Sequence, residues 1–171
     1  MLRIILIAAI LCFSAAKAQS TQVDNDRANV SFVFLDGDVE GSISGFVFNG
    51  RINTDDLTQS EIKGSVETKS LDTNNWLRSR HLRSKKYFAV KDHPRLQFVG
   101  ESIERGVYGY TLNGQLTIKG VTKAVSLDLR QEVDKLTVSG MINTQDYDIT
   151  IYDEVDRNRV KFSVVLPLIG N

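Results

Sequence analysis

The sequence predicts an all-β protein: a closed, eight-stranded, antiparallel up-and-down barrel with one short helical insertion around residues 74–88. Three observations carry this. Apolar and polar residues alternate with period 2 in eight separate stretches. Turn-forming residues fall between those stretches at hairpin spacing. One stretch, "LDTNNWLRSRHLRSKKYF" (71–88), breaks the alternation with helix-compatible spacing and a run of bases.

The chain begins with "MLRIILIAAILCFSAAKA": an early Arg3, an apolar run from Ile4 to Phe13, and Ala16 and Ala18 in the A-x-A arrangement that precedes signal-peptidase cleavage. The run is well short of the roughly 20 residues a spanning helix needs. Residues 1–18 are therefore expected to be a cleavable leader, and residues 19–171 an exported, soluble domain. Cys12 is the only cysteine and lies in the leader, where Leu11 is a poor fit to lipoprotein processing; the remaining domain is expected to have no disulfide. Removing 18 of 171 residues leaves 153, ample for one domain. Loss of Arg3 and Lys17 from 21 basic residues leaves 19 against 21 acidic ones, a balance that argues against a nucleic-acid partner.

The expected strands are 30–35, 39–52, 61–71, 95–103, 108–118, 121–133, 135–147 and 159–169. "DGD" (36–38), "NTDD" (53–56), "RG" (105–106), "KG" (119–120) and "VDK" (133–135) supply the turns. Sequential hairpins make a meander, and about 19 residues per strand and connection suits a closed barrel better than a sandwich. Closure also removes two exposed sheet edges.

Eight strands enclose an interior that is either packed with side chains or holds one small ligand. Gly41, Gly45, Gly100, Gly109, Gly114 and Gly140 fall inside expected strands. They either bend the strands at barrel corners or leave room for a ligand. Phe32 with Phe34, Phe46 with Phe48, and Tyr108 with Tyr110 form same-face aromatic stripes that core packing would explain, the Phe46 and Phe48 pair being suited equally to a cavity wall.

In the insertion, Asp72 or Thr73 is expected to cap a helix of about ten residues. Trp76, Leu77, Leu82 and Phe88 would form its apolar edge and wall a cavity, while Arg78, Arg80, Arg83, Lys85 and Lys86 make a basic face. That face is a solvated surface or a contact for an anionic head group or membrane surface. His81 and His93 are the only histidines, with neither cysteine nor carboxylate spacing to complete a metal site. His81 is read as a support for the segment or a head-group contact. The acidic stretch 145–156 lacks the glycine and spacing of a calcium loop and reads as solvated. No nucleophile elbow, phosphate loop or dinucleotide fingerprint is present, so neither a catalytic residue nor a cofactor is expected.

"SLDTNNWLRSRHLRSKKYFAVKDHPRLQF" (70–98), "LNGQLTIKGVTKAVSL" (112–127) and "QDYDI" (145–149) resemble, in this order, three elements of the YceI-like family of exported bacterial proteins, over Val30 to Ile169. The resemblance implies a lipocalin-like barrel around a long apolar tunnel, periplasmic residence, and a polyisoprenoid or other long lipid as ligand. The candidate set for cavity lining or head-group contact is Phe46, Phe48, Leu71, Trp76, Leu77, Arg80, His81, Leu82, Phe88, Phe98 and Leu116. Arg80 stands where the family usually has an acidic residue, which points to an anionic head. Asp148 stands where it often has glycine. A carrier of a polyisoprenoid, quinone-type or fatty-acid-like lipid is the leading expectation. The rivals are a barrel enzyme, a cyclase or isomerase acting on a hydrophobic substrate, and a filled barrel serving as an interaction module. Oligomeric state is left open, a dimer included.

Overall fold

The computed structural model describes residues 20–169; the expected leader, residues 1–18, lies outside them. The described residues form eleven strands: β1 (Ser20–Val23), β2 (Asn29–Phe34), β3 (Val39–Ser42), β4 (Val47–Phe48), β5 (Ile52–Asn53), β6 (Lys63–Glu67), β7 (Arg95–Arg105), β8 (Tyr110–Ile118), β9 (Val121–Gln131), β10 (Lys135–Asn143) and β11 (Arg159–Ile169). One α-helix, α1 (Trp76–Leu82), lies between β6 and β7. Among the described residues no helix is long and apolar enough to cross a membrane.

From β6 to β11 the sheet is a meander of antiparallel neighbours, and β11 then pairs with β2, as an up-and-down barrel requires. The two-residue turn between β8 and β9 is Lys119-Gly120, both with positive φ (51° and 79°), the geometry that matches the twist of a tight hairpin. The β7–β8 and β9–β10 turns also fall where the sequence places them.

The expected single strand over 39–52 is instead three short pieces. Gly45 has φ +68°, outside the strand region, and the chain turns there from the edge of β2 towards the edge of β6. This crossing closes the sheet. Ser42 exchanges backbone hydrogen bonds with Asp72 (2.8 and 2.9 Å), and the Glu67 N–H donates to the Ser44 carbonyl (3.0 Å). Strand β1, which has no counterpart in the period-2 reading, helps to close the other end by pairing with both β11 and β5.

Two further strands end early. The one expected over 61–71 stops at Glu67 and passes into a 3-10 turn, Thr68–Ser70. The one expected over 135–147 stops at Asn143, whose side chain accepts the Gln145 N–H (3.0 Å) and starts a 3-10 turn, Thr144–Tyr147. The turn ends at Asp148 with φ 56°, a left-handed conformation that glycine adopts without strain.

The helix is seven residues long and is capped by Asn75, whose side chain accepts the Arg78 N–H (3.0 Å); neither Asp72 nor Thr73 caps it. Those two residues are held by the buried Ser79. Its hydroxyl donates to the Asp72 carboxylate (2.8 Å) and accepts the Thr73 N–H (2.9 Å), which ties the helix to the barrel.

Two apolar clusters occupy the interior. One is centred on Ile52, Leu57, Leu112, Leu129, Leu136 and Leu166, the other on Leu71, Ile118, Tyr147 and Ile149; Phe46 and Phe162 pack against both.

Candidate functional site

Between the two clusters lies a cavity of about 160 Å³. Its wall is made by the inward-facing alternate residues of the strands, such as Phe32 and Phe34 on β2, Leu96 and Phe98 on β7, and Val160, Phe162 and Val164 on β11. Phe46, Phe48, Leu71, Phe88, Phe98 and Leu116 of the candidate set all line it.

Cross-strand register explains how this wall stays open. Phe48, Gly64, Phe98 and Leu116 fall on one row across β4, β6, β7 and β8. On β2, β3, β10 and β11, Phe32 is paired with Gly41, and Phe162 with Gly140. A ring beside a glycine can lie flat against the backbone. A Cβ at Gly64 would stand 3.1 Å from the Phe46 ring, one at Gly114 would stand 2.7 Å from the Phe98 ring, and one at Gly41 would clash with the Phe32 ring. The strand glycines therefore store aromatic rings along the wall rather than in the lumen, and at 45 one of them also turns the chain. Both readings of these glycines, bending and room, hold in different places.

The remaining candidates lie elsewhere. Trp76 and Leu77, expected to wall the cavity, sit on the outer side of α1, 70% and 61% exposed, and are not among its lining. The helix has only two turns, and its inward positions are taken by Ser79 and Leu82. Leu82 is buried in the same cluster as Phe88 and Leu71, behind the lining. Arg80 is exposed and, with Arg83, Lys85 and Lys91, borders a separate surface depression. His81 is exposed, its ring 5.0 Å from that of Tyr87. Arg78 is committed to structure, its guanidinium donating to the Thr73 hydroxyl (3.0 Å) and carbonyl (2.7 Å).

The polar side chains of the lining are few. Ser65 accepts a hydrogen bond from Arg95 Nε (2.9 Å), and the Thr144 hydroxyl donates to the Ile149 carbonyl (2.8 Å). Lys63 is exposed. Tyr147 is 1% exposed, and its hydroxyl has no hydrogen-bond partner among the described residues. Burial, helped by the charge of Asp146, pushes its pKa up to about 12, so the hydroxyl stays protonated. Leaving a buried polar group unpaired costs about 1–3 kcal/mol. Sequence reasoning missed Tyr147 because it lies in a stretch read as a solvated acidic loop. It also left the β10 and β11 wall unnamed, although the alternation Val160, Phe162, Val164, Leu166 marks an inward face once one inward residue is fixed.

An apolar lumen of this kind can take up an apolar chain. Its volume is close to that of an engineered cavity that holds benzene, so about six chain carbons fit without rearrangement. A longer chain requires the half-buried rings of Phe46, Phe48, Phe98 and Phe162 to turn.

Comparison with known proteins follows the same lines. The family model described as the YceI-like domain matches residues 22–167. A UPF0312 protein of Yersinia enterocolitica is 37% identical over 95 residues, an alignment covering 54% of this chain and 47% of that protein. The matched segment thus spans about half the length of that relative. The crystal structure of Burkholderia cenocepacia BcnA superposes with a TM-score of 0.76 at 21% identity, over 87% of this chain and all of that one. A polyisoprenoid binding domain from Saccharophagus degradans, implicated in plant cell wall breakdown, superposes with a TM-score of 0.60 at 16% identity, over 91% of this chain and all of that domain. At these identities the two structures speak for the fold.

Proposed function

The chain belongs to the YceI-like domain family, and from that premise we propose that it is an exported binding protein that carries a long apolar chain, of polyisoprenoid, quinone or fatty-acid type, in the lumen of its barrel. The observation that carries the reading is the cavity itself, walled by residues of both clusters and lined almost wholly by carbon. Each buried methylene contributes about 0.8 kcal/mol, so about six carbons supply about 5 kcal/mol before any polar contact is made. Selectivity for chain length is then loose. The polyisoprenoid binding described for the Saccharophagus domain supports the ligand class.

The leader-like residues 1–18 support export, with the periplasm as the working compartment. Loading and unloading there bring the protein to a lipid surface. The exposed Trp76 and Leu77, beside Arg80, Lys85 and Lys86, suit transient contact with an anionic one: the apolar pair enters the interface and the bases meet the head groups. The role is binding rather than catalysis.

The test is solvent extraction of the protein purified from an exporting bacterial host, followed by mass spectrometry. A near-stoichiometric intact lipid is the expected result. An extract without lipid, together with no uptake of added polyprenyl lipid, would overturn the carrier; chemical conversion of an added lipid would replace it with an enzyme.

A further inference from the structure

One residue of the lining, Tyr147, carries a polar atom that the protein leaves unpaired. Of its polar side chains, Ser65 and Thr144 are satisfied from within the chain and Lys63 is exposed; the Tyr147 hydroxyl alone is buried and without a partner among the described residues. Packing does not require it. Phenylalanine would fill the same ring volume in the cluster of Phe34, Ile118, Ile149 and Val160 without a buried orphan. The hydroxyl is shielded from the lumen, so a ligand reaches it when the lining rings turn, and a hydrogen bond left unmade there is explained if the ligand makes it.

We propose that Tyr147 is the polar anchor of the lumen, its hydroxyl donating a hydrogen bond to a neutral acceptor oxygen carried by the apolar chain: a ketone, quinone, ester or ether oxygen. The inference rests on the lumen being an apolar-chain site and adds what the chain must carry. The oxygen is neutral because the surroundings of Tyr147 are apolar, and a carboxylate or phosphate would lose its hydration there with one hydroxyl in return. An acceptor is required because a phenol that keeps its proton is a donor. Chains without oxygen still enter but slide freely; those with it are held at one depth. The basic residues around Arg80 then have no part in fixing the chain inside.

The probes are a long-chain 2-ketone and the alkane of the same carbon count, titrated into the full-length domain and into Tyr147→Phe, with circular dichroism confirming that both proteins are folded. The ratio of ketone to alkane affinity is expected to be about five- to tenfold larger in the wild type than in Tyr147→Phe, with alkane affinity equal in the two proteins. The infrared carbonyl band of the bound ketone should lie at lower frequency in the wild type than in Tyr147→Phe. Equal ketone preference in both proteins, or equal weakening of ketone and alkane by the substitution, would overturn the anchor while leaving the carrier standing. Failure of both probes to bind the wild type would overturn the carrier reading, and the anchor with it.

Discussion

The Phe46 ring lies on Gly64: a methyl group placed there would stand 3.1 Å from its Cε2 and 3.3 Å from its Cζ, closer than relaxed packing allows. The nearest backbone atom, the Val47 carbonyl oxygen, would be 3.6 Å away. It is thus the ring that must yield, and one side of it faces the lumen. Gly64→Ala is expected to push Phe46 inward and weaken apolar-chain binding about three- to tenfold, with less than about 1 kcal/mol of stability change. Calorimetric titration and thermal melting of the same sample separate the two effects. A drop in stability with affinity unchanged would show that the glycine serves the fold alone.

Tyr147 makes the barrel sensitive to alkali. Its pKa is raised from 10.0 to about 12 by burial, so the unfolded chain loses this proton before the folded one does. The contribution is intact below pH 10 and falls as pH rises towards 12, by about 1.4 kcal/mol at about pH 11. Urea unfolding at about pH 9 and about pH 11 should show a larger loss in the wild type than in Tyr147→Phe. Parallel losses in the two proteins would mean that the hydroxyl is not held protonated.

Ser79 is fully buried and joins the helix to Asp72 and Thr73. Ser79→Ala should cost about 1–3 kcal/mol, because it leaves the Thr73 N–H without its acceptor. Chemical denaturation measures the loss. A change below about 0.5 kcal/mol would show that water takes over the bonds.

Trp76→Ala removes a side chain that is 70% exposed, so melting should shift by no more than about 0.5 kcal/mol of stability. Binding to vesicles containing anionic lipid should fall several-fold, and lumen affinity should not change. If vesicle binding is unaffected, the exposed pair is not a membrane contact.

These residues show what the sequence could and could not tell. Alternation located the meander from β6 to β11 because each strand there has one buried and one outer face, and the Lys119-Gly120 turn was legible because its two residues favour positive φ. The seam was not legible. Its closure depends on where residues 39–53 cross from one edge to the other, a tertiary matter that one glycine among several does not reveal. In the site, Phe48 was picked from its aromatic stripe and Phe98 and Leu116 from the motifs they lie in, and the structure puts all three on one cross-strand row. Trp76 was misplaced because amphipathic spacing gives an apolar edge without saying whether it faces core or solvent; in so short a helix Ser79 and Leu82 took the inner side.

Whether the lumen holds one apolar chain is decided by native mass spectrometry of the domain incubated with a polyprenyl quinone. A single one-to-one adduct that survives mild activation and is diminished in Gly64→Ala is the expected result. No adduct, or a ladder of adducts that grows with lipid concentration and is lost in Trp76→Ala but not in Gly64→Ala, would place the lipid on the surface and contradict a lumen site.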